Sequence, residues 1–362
     1  MSKYLRIPGM VDPHVHLRDL EWAHKATFAS ETAAALAGGY WAILDMPNTP
    51  PSTIDHAALE LKLDTIQHQA VCDWGLYFGA SQGGNQAEYA GVFSQVCGLK
   101  IYCNATTGTL LVEDQALREA HFAAWPVGKP IAVHAEGDTV AEILELVRKF
   151  HKPTHFCHIS TAYEIYLLRL AKEEGLPVTV GVTPHHLYLD EDDARAMGSL
   201  GLMKPLLKTK ADQQALWQAI SDEVVDVIES DHAPHALIEK YSANPPYGVP
   251  GLETTLPLMA LAVADERLSV ERLVDLVAIN PQRIFGLTPP PDTYTLVDLH
   301  ETYVIDNANM RTLCGWSPFD GIKVHGRVME VWVRGQYVFD GENVLVEAGF
   351  GQNVAATSEI SQ

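Results

Sequence analysis

Basic residues are scarce in this chain of 362 residues: 25 lysines and arginines face 46 aspartates and glutamates, a formal net charge of −21. No lysine–arginine block interrupts that excess, which argues against nucleic acid or an anionic membrane as the main partner. Cysteine is equally sparse. Cys72, Cys97, Cys103, Cys157 and Cys314 are scattered and odd in number, which suits reduced thiols in a cytoplasm better than a disulfide frame. No apolar run approaches the ~20 residues of a membrane span, and Met1 to Gly9 has no signal-peptide core. Also missing are a repeat at a solenoid period, a low-complexity tract and a Gly-rich phosphate loop behind an early strand. What remains is 47% hydrophobic and 20% charged, with 16 histidines. That composition is globular, and the length suits one large barrel or two ordinary domains.

From Val11 to about Gly286, short apolar runs alternate with amphipathic stretches. Strands are expected at Val11–His16, Tyr40–Met46, Asp73–Phe78, Leu99–Tyr102, Ile131–His134, His155–His158, Val178–Thr183 and Val225–Asp231. Between them, the helical pattern Lys25–Ala37 closes on Gly38-Gly39, and Ala162–Glu174 closes on Gly175 with Pro177 beyond. Strand and helix alternating about eight times predict an α/β fold, a (β/α)8 TIM-type barrel. The alternative, a doubly wound open sheet, lacks its phosphate loop. Past the cluster Pro289–Pro291 the pieces Thr302–Ile305, Val324–Gly326, Val328–Val333 and Tyr337–Phe339 predict a small β appendage, with turns at Gly335 and Asp340-Gly341. The expected organisation is an N-terminal segment over 1–10 packing with the appendage, the barrel over 11–288 and a β-rich extension over 289–362.

In a barrel the C-terminal strand ends build the active site. Strand period two points His14 and His16 the same way, so one metal can meet both. Such a pair alone is weak evidence, but His134, His158 and Asp231 end other strands. Four imidazoles and a carboxylate at one mouth suit a divalent metal, most naturally zinc, and burying them without one leaves unsatisfied donors. Lys100 also ends a strand and admits two readings. Its ammonium can snorkel outwards, or the neutral amine favoured beside metal cations takes up CO₂ and bridges two zincs as a carbamate.

His14-Val15-His16, Lys100, His134, His158 and Asp231, in this order, resemble the binuclear amidohydrolase superfamily. The likeness narrows to dihydroorotase through Asp12-Pro13-His14-Val15-His16-Leu17-Arg18, Met46-Pro47-Asn48-Thr49, Gly98-Leu99-Lys100-Ile101-Tyr102, Pro184-His185-His186-Leu187, Ser230-Asp231-His232-Ala233-Pro234-His235 and Pro250-Gly251-Leu252-Glu253-Thr254. It is strongest toward the dihydroorotase domain of the animal multifunctional pyrimidine-synthesis protein and covers almost the whole chain. The resemblance implies reversible closure of N-carbamoyl-L-aspartate to L-dihydroorotate in pyrimidine biosynthesis. It also implies two zinc ions per chain: His14, His16 and Asp231 on one, His134 and His158 on the other, with carboxylated Lys100 and a hydroxide between them. Asp231 would be the general acid and base. Arg18, Asn48 and His235 would bind substrate, a guanidinium fork suiting a carboxylate. Thr106, Thr107 and Gly248 would line its pocket. A homodimer in the cytoplasm is expected, with aspartate transcarbamoylase a candidate associate.

Departures from the family pattern are informative. Lys204 stands where an arginine contact is expected, and Thr107 where the mobile loop 104–109 carries a bulky aromatic. Gly181 stands where a glutamate would join Cys157 around a third zinc, so only two metals are expected. His185 and His186 are read as structural, and His232 as a support for Asp231. His24, His56, His68, His121, His151, His300 and His325 are read as surface residues. The stripe Tyr163, Tyr166, Leu167, Leu170 is read as core. Two other functions stay open: another cyclic amidohydrolase such as a hydantoinase or allantoinase, which would not need Arg18, and a catalytically silent scaffold for a transcarbamoylase.

Overall fold

Strands buried on both faces, with helices between them, can satisfy their backbone and their apolar side chains at once only as a parallel sheet wrapped by helices. In the computed structural model, which describes residues 4–357, this is the arrangement adopted. The first three residues of the expected N-terminal segment and the last five of the expected extension lie outside the described residues. The first strand, β1 (Leu5–Ile7), belongs to a small second sheet. The next eight pair in parallel in chain order. They are β2 (Met10–Val15), β3 (Tyr40–Asp45), β4 (Asp73–Gly79), β5 (Gly98–Tyr102), β6 (Ile131–His134), β7 (Thr154–Phe156), β8 (Val178–Val182) and β9 (Val227–Ile228). A parallel bridge between Val15 and His232, with the His16 amide donating to the His232 carbonyl at 2.7 Å, draws the two edges together into the barrel.

The small sheet has the order β1, β10 (Tyr294–Val304), β11 (Lys323–Val333), β12 (Gln336–Phe339), all antiparallel. Pairing of Leu5 with Val297 and Ile7 with Thr295 ties the start of the chain to this appendage. β10 begins at Tyr294, well ahead of the expected Thr302, because its first residues pair with β1 on one side and β11 on the other. β11 is one strand where two were expected. It runs straight through Gly326, whose φ is 82° and whose Cβ, if present, would lie 2.4 Å from the Ala260 Cβ. Glycine there lets the strand lie against the helix Leu252–Ala264.

Capping residues set the helix starts. Thr27 caps the helix Phe28–Ala37 in a capping box with Ser30, so the helix begins after the expected Lys25. Thr161 and Glu164 cap Ala162–Glu173 in the same way. Here the structure corrects the expected core stripe: Tyr163, Tyr166 and Leu170 are 47%, 57% and 37% exposed. The buried face is Glu164, Ile165, Leu168 and Ala171. Its phase is fixed by Glu164, whose carboxylate turns inward to accept from the Gly137, Ser160 and Thr161 amides. His121, expected at the surface, is instead fully buried, bonded to the Tyr89 hydroxyl and the Ser81 carbonyl.

Candidate active site

The strand ends converge as the spacing requires. β2 delivers His14 and His16 with ring centroids 5.4 Å apart, and Asp231 Oδ1 lies 3.2 Å from Nε2 of each. His14, His16 and Asp231 thus present three ligand atoms within 4.8 Å of one another, all buried. His134 Nδ1 and His158 Nε2 meet at 3.1 Å, and the His158 ring is 5.0 Å from that of His14. Asp231 and His158 have left-handed backbones, φ 45° and 38°, a conformation non-glycine residues avoid unless the surroundings impose it. Lys100 is fully buried in the middle of β5, two residues short of the expected strand end, its Nζ 3.1 Å from the Cys157 Sγ and 5.2 Å from the Tyr102 ring centroid. The outward reading of Lys100 is therefore wrong: the amine points into the barrel.

Hydrogen bonds fix the ring tautomers. Asn48 donates its amide to the Thr107 carbonyl at 2.9 Å, so its oxygen faces His16 Nδ1 at 2.7 Å and must accept. That leaves the His16 Nε2 lone pair directed at Asp231. His134 donates Nε2–H to the Glu136 carboxylate at 3.0 Å, freeing Nδ1 toward His158. Burial, then the nearby Lys100 or Arg18 charge, holds His14 and His16 well below the usual imidazole range. Burial and His134 do the same to His158. Neutral imidazoles with free lone pairs are what a metal needs. Burial pushes Asp231 up to about 7, against the pull of Lys100.

On the solvent side, Arg18, Asn48, Thr106, Thr107, Lys204 and Gly248 line the same cavity as His14, His16, His134, His158 and Asp231. Tyr102, Ala233 and Tyr247 complete it. Arg18 is 1% exposed, burial lowering its pKa to about 10, and its Nη1 has no hydrogen-bond partner among the described residues. His235 stands behind Arg18, 3.3 Å from Nη2, and does not line the cavity. Its Nδ1 accepts from Lys25 at 3.2 Å, so Nε2–H donates to the Tyr247 carbonyl at 3.0 Å. Gly248 has φ 135°, and a Cβ there would meet the Ala233 carbonyl at 2.7 Å. Lys204 Nζ sits 5.2 Å from the Tyr247 ring centroid, and Thr107 Oγ1 donates to the Tyr247 carbonyl at 2.8 Å.

No family model matches the sequence. Individual relatives do. The chain is 42% identical over 355 residues to the multifunctional protein CAD of Squalus acanthias, covering 98% of this chain but only 16% of that protein's length. It is 33% identical over 359 residues to the dihydroorotase of Pyrococcus furiosus, covering 94% of this chain and 82% of that enzyme. The chain belongs to the dihydroorotase family. Among solved structures, an L-hydantoinase (dihydropyrimidinase) from Arthrobacter aurescens superposes with TM-score 0.92 at 26% identity, over 97% of this chain and 89% of its own. The inactive dihydroorotase-like domain of a CAD-like protein from Chaetomium thermophilum matches with TM-score 0.81 at 26% identity, over 97% and 99%.

Sequence reasoning missed two buried groups beside this family's histidines. His155 Nε2 lies 3.0 Å from Glu229 Oε2, and Glu229 Oε1 accepts the His158 amide at 2.5 Å. Glu229 also forms, with His14 and Cys157, a second set of potential ligand atoms. The available signal was position: Glu229 directly follows β9 and stands two residues before Asp231. The His232 ring, read as a support for Asp231, turns elsewhere: its Nε2 lies 2.7 Å from Glu31 and its Nδ1 accepts the Gly251 amide at 3.1 Å.

Proposed function

We propose that this chain is a zinc-dependent dihydroorotase, interconverting N-carbamoyl-L-aspartate and L-dihydroorotate in the cytoplasm. The observation that carries the reading is Arg18: a buried guanidinium with an unpartnered Nη1, in the cavity that also holds the histidine and aspartate cluster. An uncharged ring has no use for it; the carboxylate of dihydroorotate does. The donor set fits zinc, with neutral nitrogens and a carboxylate at close range. His14, His16 and Asp231 would hold one ion, His134 and His158 a second, and Lys100, carboxylated, would lie between them. Zinc there supplies Lewis acidity toward the ring carbonyl and acidifies water.

The chain's own residues do the rest. Arg18 anchors the carboxylate that does not react, with Lys204 adding positive charge at the rim. In ring closure the carbamoyl nitrogen bonds to the side-chain carboxyl carbon and gives up one N–H proton, and one carboxyl oxygen leaves as water, taking that proton and a second one handed over by Asp231. In hydrolysis Asp231 takes a proton and passes it to the leaving nitrogen. Asn48 keeps the His16 ring in register, and the 104–109 loop covers the cavity. A homodimer and an association with a transcarbamoylase are further parts of this proposal, the latter supported by likeness to a multifunctional protein. The deciding assay is carbamoyl-aspartate formation from dihydroorotate with and without a chelator. Turnover that stops on chelation and returns with zinc is expected. Turnover of hydantoin or allantoin in its place would give the other amidohydrolase reading, and no turnover by zinc-loaded protein the silent one.

A further inference from the structure

Glu229 is a fully buried carboxylate that the proposed reaction does not use. Both of its oxygens are directed. Oε1 accepts the His158 amide at 2.5 Å and faces His14 Nδ1 at 3.6 Å; Oε2 lies 3.0 Å from His155 Nε2. His14 Nδ1 is buried and has no hydrogen-bond partner among the described residues, while Nε2 of the same ring lies 3.2 Å from Asp231. A ring that offers its Nε2 lone pair to a metal carries its proton on Nδ1. The group facing that proton is Glu229 Oε1, a few tenths of an ångström beyond hydrogen-bond distance. The space for this carboxylate comes from the neighbouring strand. A Cβ on Gly181 would lie 2.5 Å from Oε1 and 2.6 Å from Cδ of Glu229, so any side chain at 181 would displace it.

We infer that Glu229 is a positioning residue for the metal centre, orienting the His14 ring through Nδ1 and the His158 segment through its amide, from a slot that glycine at 181 keeps open. The inference rests on the metal reading proposed above. A carboxylate behind a ligating histidine fixes its tautomer and orientation and raises its basicity, and losing such a partner weakens metal binding by about 10–100-fold.

The test measures zinc affinity by chelator competition, alongside the melting temperature of the zinc-free protein. Glu229→Gln keeps the volume and removes the charge. It is expected to weaken zinc binding about 10–100-fold while the zinc-free protein melts near the wild-type temperature. Gly181→Ala touches no proposed ligand, yet is expected to weaken zinc binding by displacing the carboxylate. In a Glu229→Ala background, where the slot is empty, Gly181→Ala should bring no further loss, which ties its effect to displacement of the carboxylate, while the zinc-free melting temperature separates that effect from a loss of fold. Wild-type affinity in both Glu229→Gln and Gly181→Ala overturns the inference and leaves the metal reading standing. Wild-type protein that takes up no zinc overturns both.

Discussion

Asn48 and His16 are joined by a 2.7 Å contact from carboxamide oxygen to Nδ1. The other end of the same carboxamide donates to the Thr107 carbonyl at 2.9 Å, and the Thr107 hydroxyl to the Tyr247 carbonyl at 2.8 Å. One side chain therefore couples a ring of the histidine cluster to the loop above it, and the two jobs can be separated. Asn48→Ala removes both and is expected to lower kcat/KM by about 10–100-fold together with zinc affinity, as loss of a partner behind a ligand does. Thr107→Val removes only the loop's attachment, so KM should rise with zinc content unchanged. Zinc titration beside steady-state kinetics separates the two. Equal loss of zinc in both variants would contradict the division.

In the proposed reaction Arg18 decides between an acidic and an uncharged ring. Replacing it by Gln removes a charge-assisted contact worth about 1.5–3 kcal/mol. KM for dihydroorotate should rise by roughly 10–100-fold, and the preference for dihydroorotate over dihydrouracil, the same ring without the carboxylate, should collapse. Arg18→Lys should fall between, since lysine keeps the charge but loses the fork. An unchanged preference in Arg18→Gln would move carboxylate recognition elsewhere, with Lys204 the next candidate.

The barrel was legible because its strands are apolar runs of a few residues whose last polar residue faces the mouth, and that register carries His14, His16, Lys100, His134, His158 and Asp231 to one place. Residues whose meaning depends on a neighbour in space were harder to read. Glu229 precedes Ser230-Asp231 unremarkably until Gly181, on the preceding strand β8, is seen to leave room for it. Tyr163, Tyr166 and Leu170 repeat with helical period, yet the capping carboxylate of Glu164 turns a different face inward. His121 has no motif, and only the packing of Tyr89 against it explains its burial. The first half of β10, Tyr294-Thr295-Leu296-Val297, has strand-favouring residues, but the partners that make it a strand, β1 and β11, are remote in sequence.

Ring closure turns a dianion into a monoanion and consumes a proton, so the equilibrium ratio of dihydroorotate to carbamoyl-aspartate should rise about tenfold for each pH unit lowered. The enzyme sets only how fast that ratio is reached. Asp231→Asn, which cannot carry the proton, is expected to approach the same ratio about 10²–10⁴-fold more slowly. Following both substances from either side at pH 6, 7 and 8 tests the two statements together. Full speed in Asp231→Asn would remove this carboxylate from the proton path.

Lys62 bears on stability away from the histidine and aspartate cluster. Its ammonium is fully buried, donating to the Thr49 carbonyl and the Thr53 hydroxyl at 2.8 Å each, and so holds the turn that carries Asn48. Burial lowers its pKa from 10.5 to about 8, against the opposing pull of the Asp45 carboxylate. Between those values the unfolded chain binds more protons than the folded one, so this group's contribution to stability rises with pH from about 8 to 10.5 and is flat below. Lys62→Met lacks that slope. The stability difference between wild type and variant should therefore move toward the wild type by a few kcal/mol over that window, near 1.4 kcal/mol for each pH unit. Asp45 works in the opposite sense at lower pH: burial raises it from 3.8 to about 6, so its contribution falls as pH rises through that range. Denaturant unfolding of both proteins at pH 7, 8, 9 and 10 reads the difference directly. Parallel curves would mean that the Lys62 ammonium keeps an ordinary affinity for its proton, and that the turn beneath Asn48 is held by geometry alone.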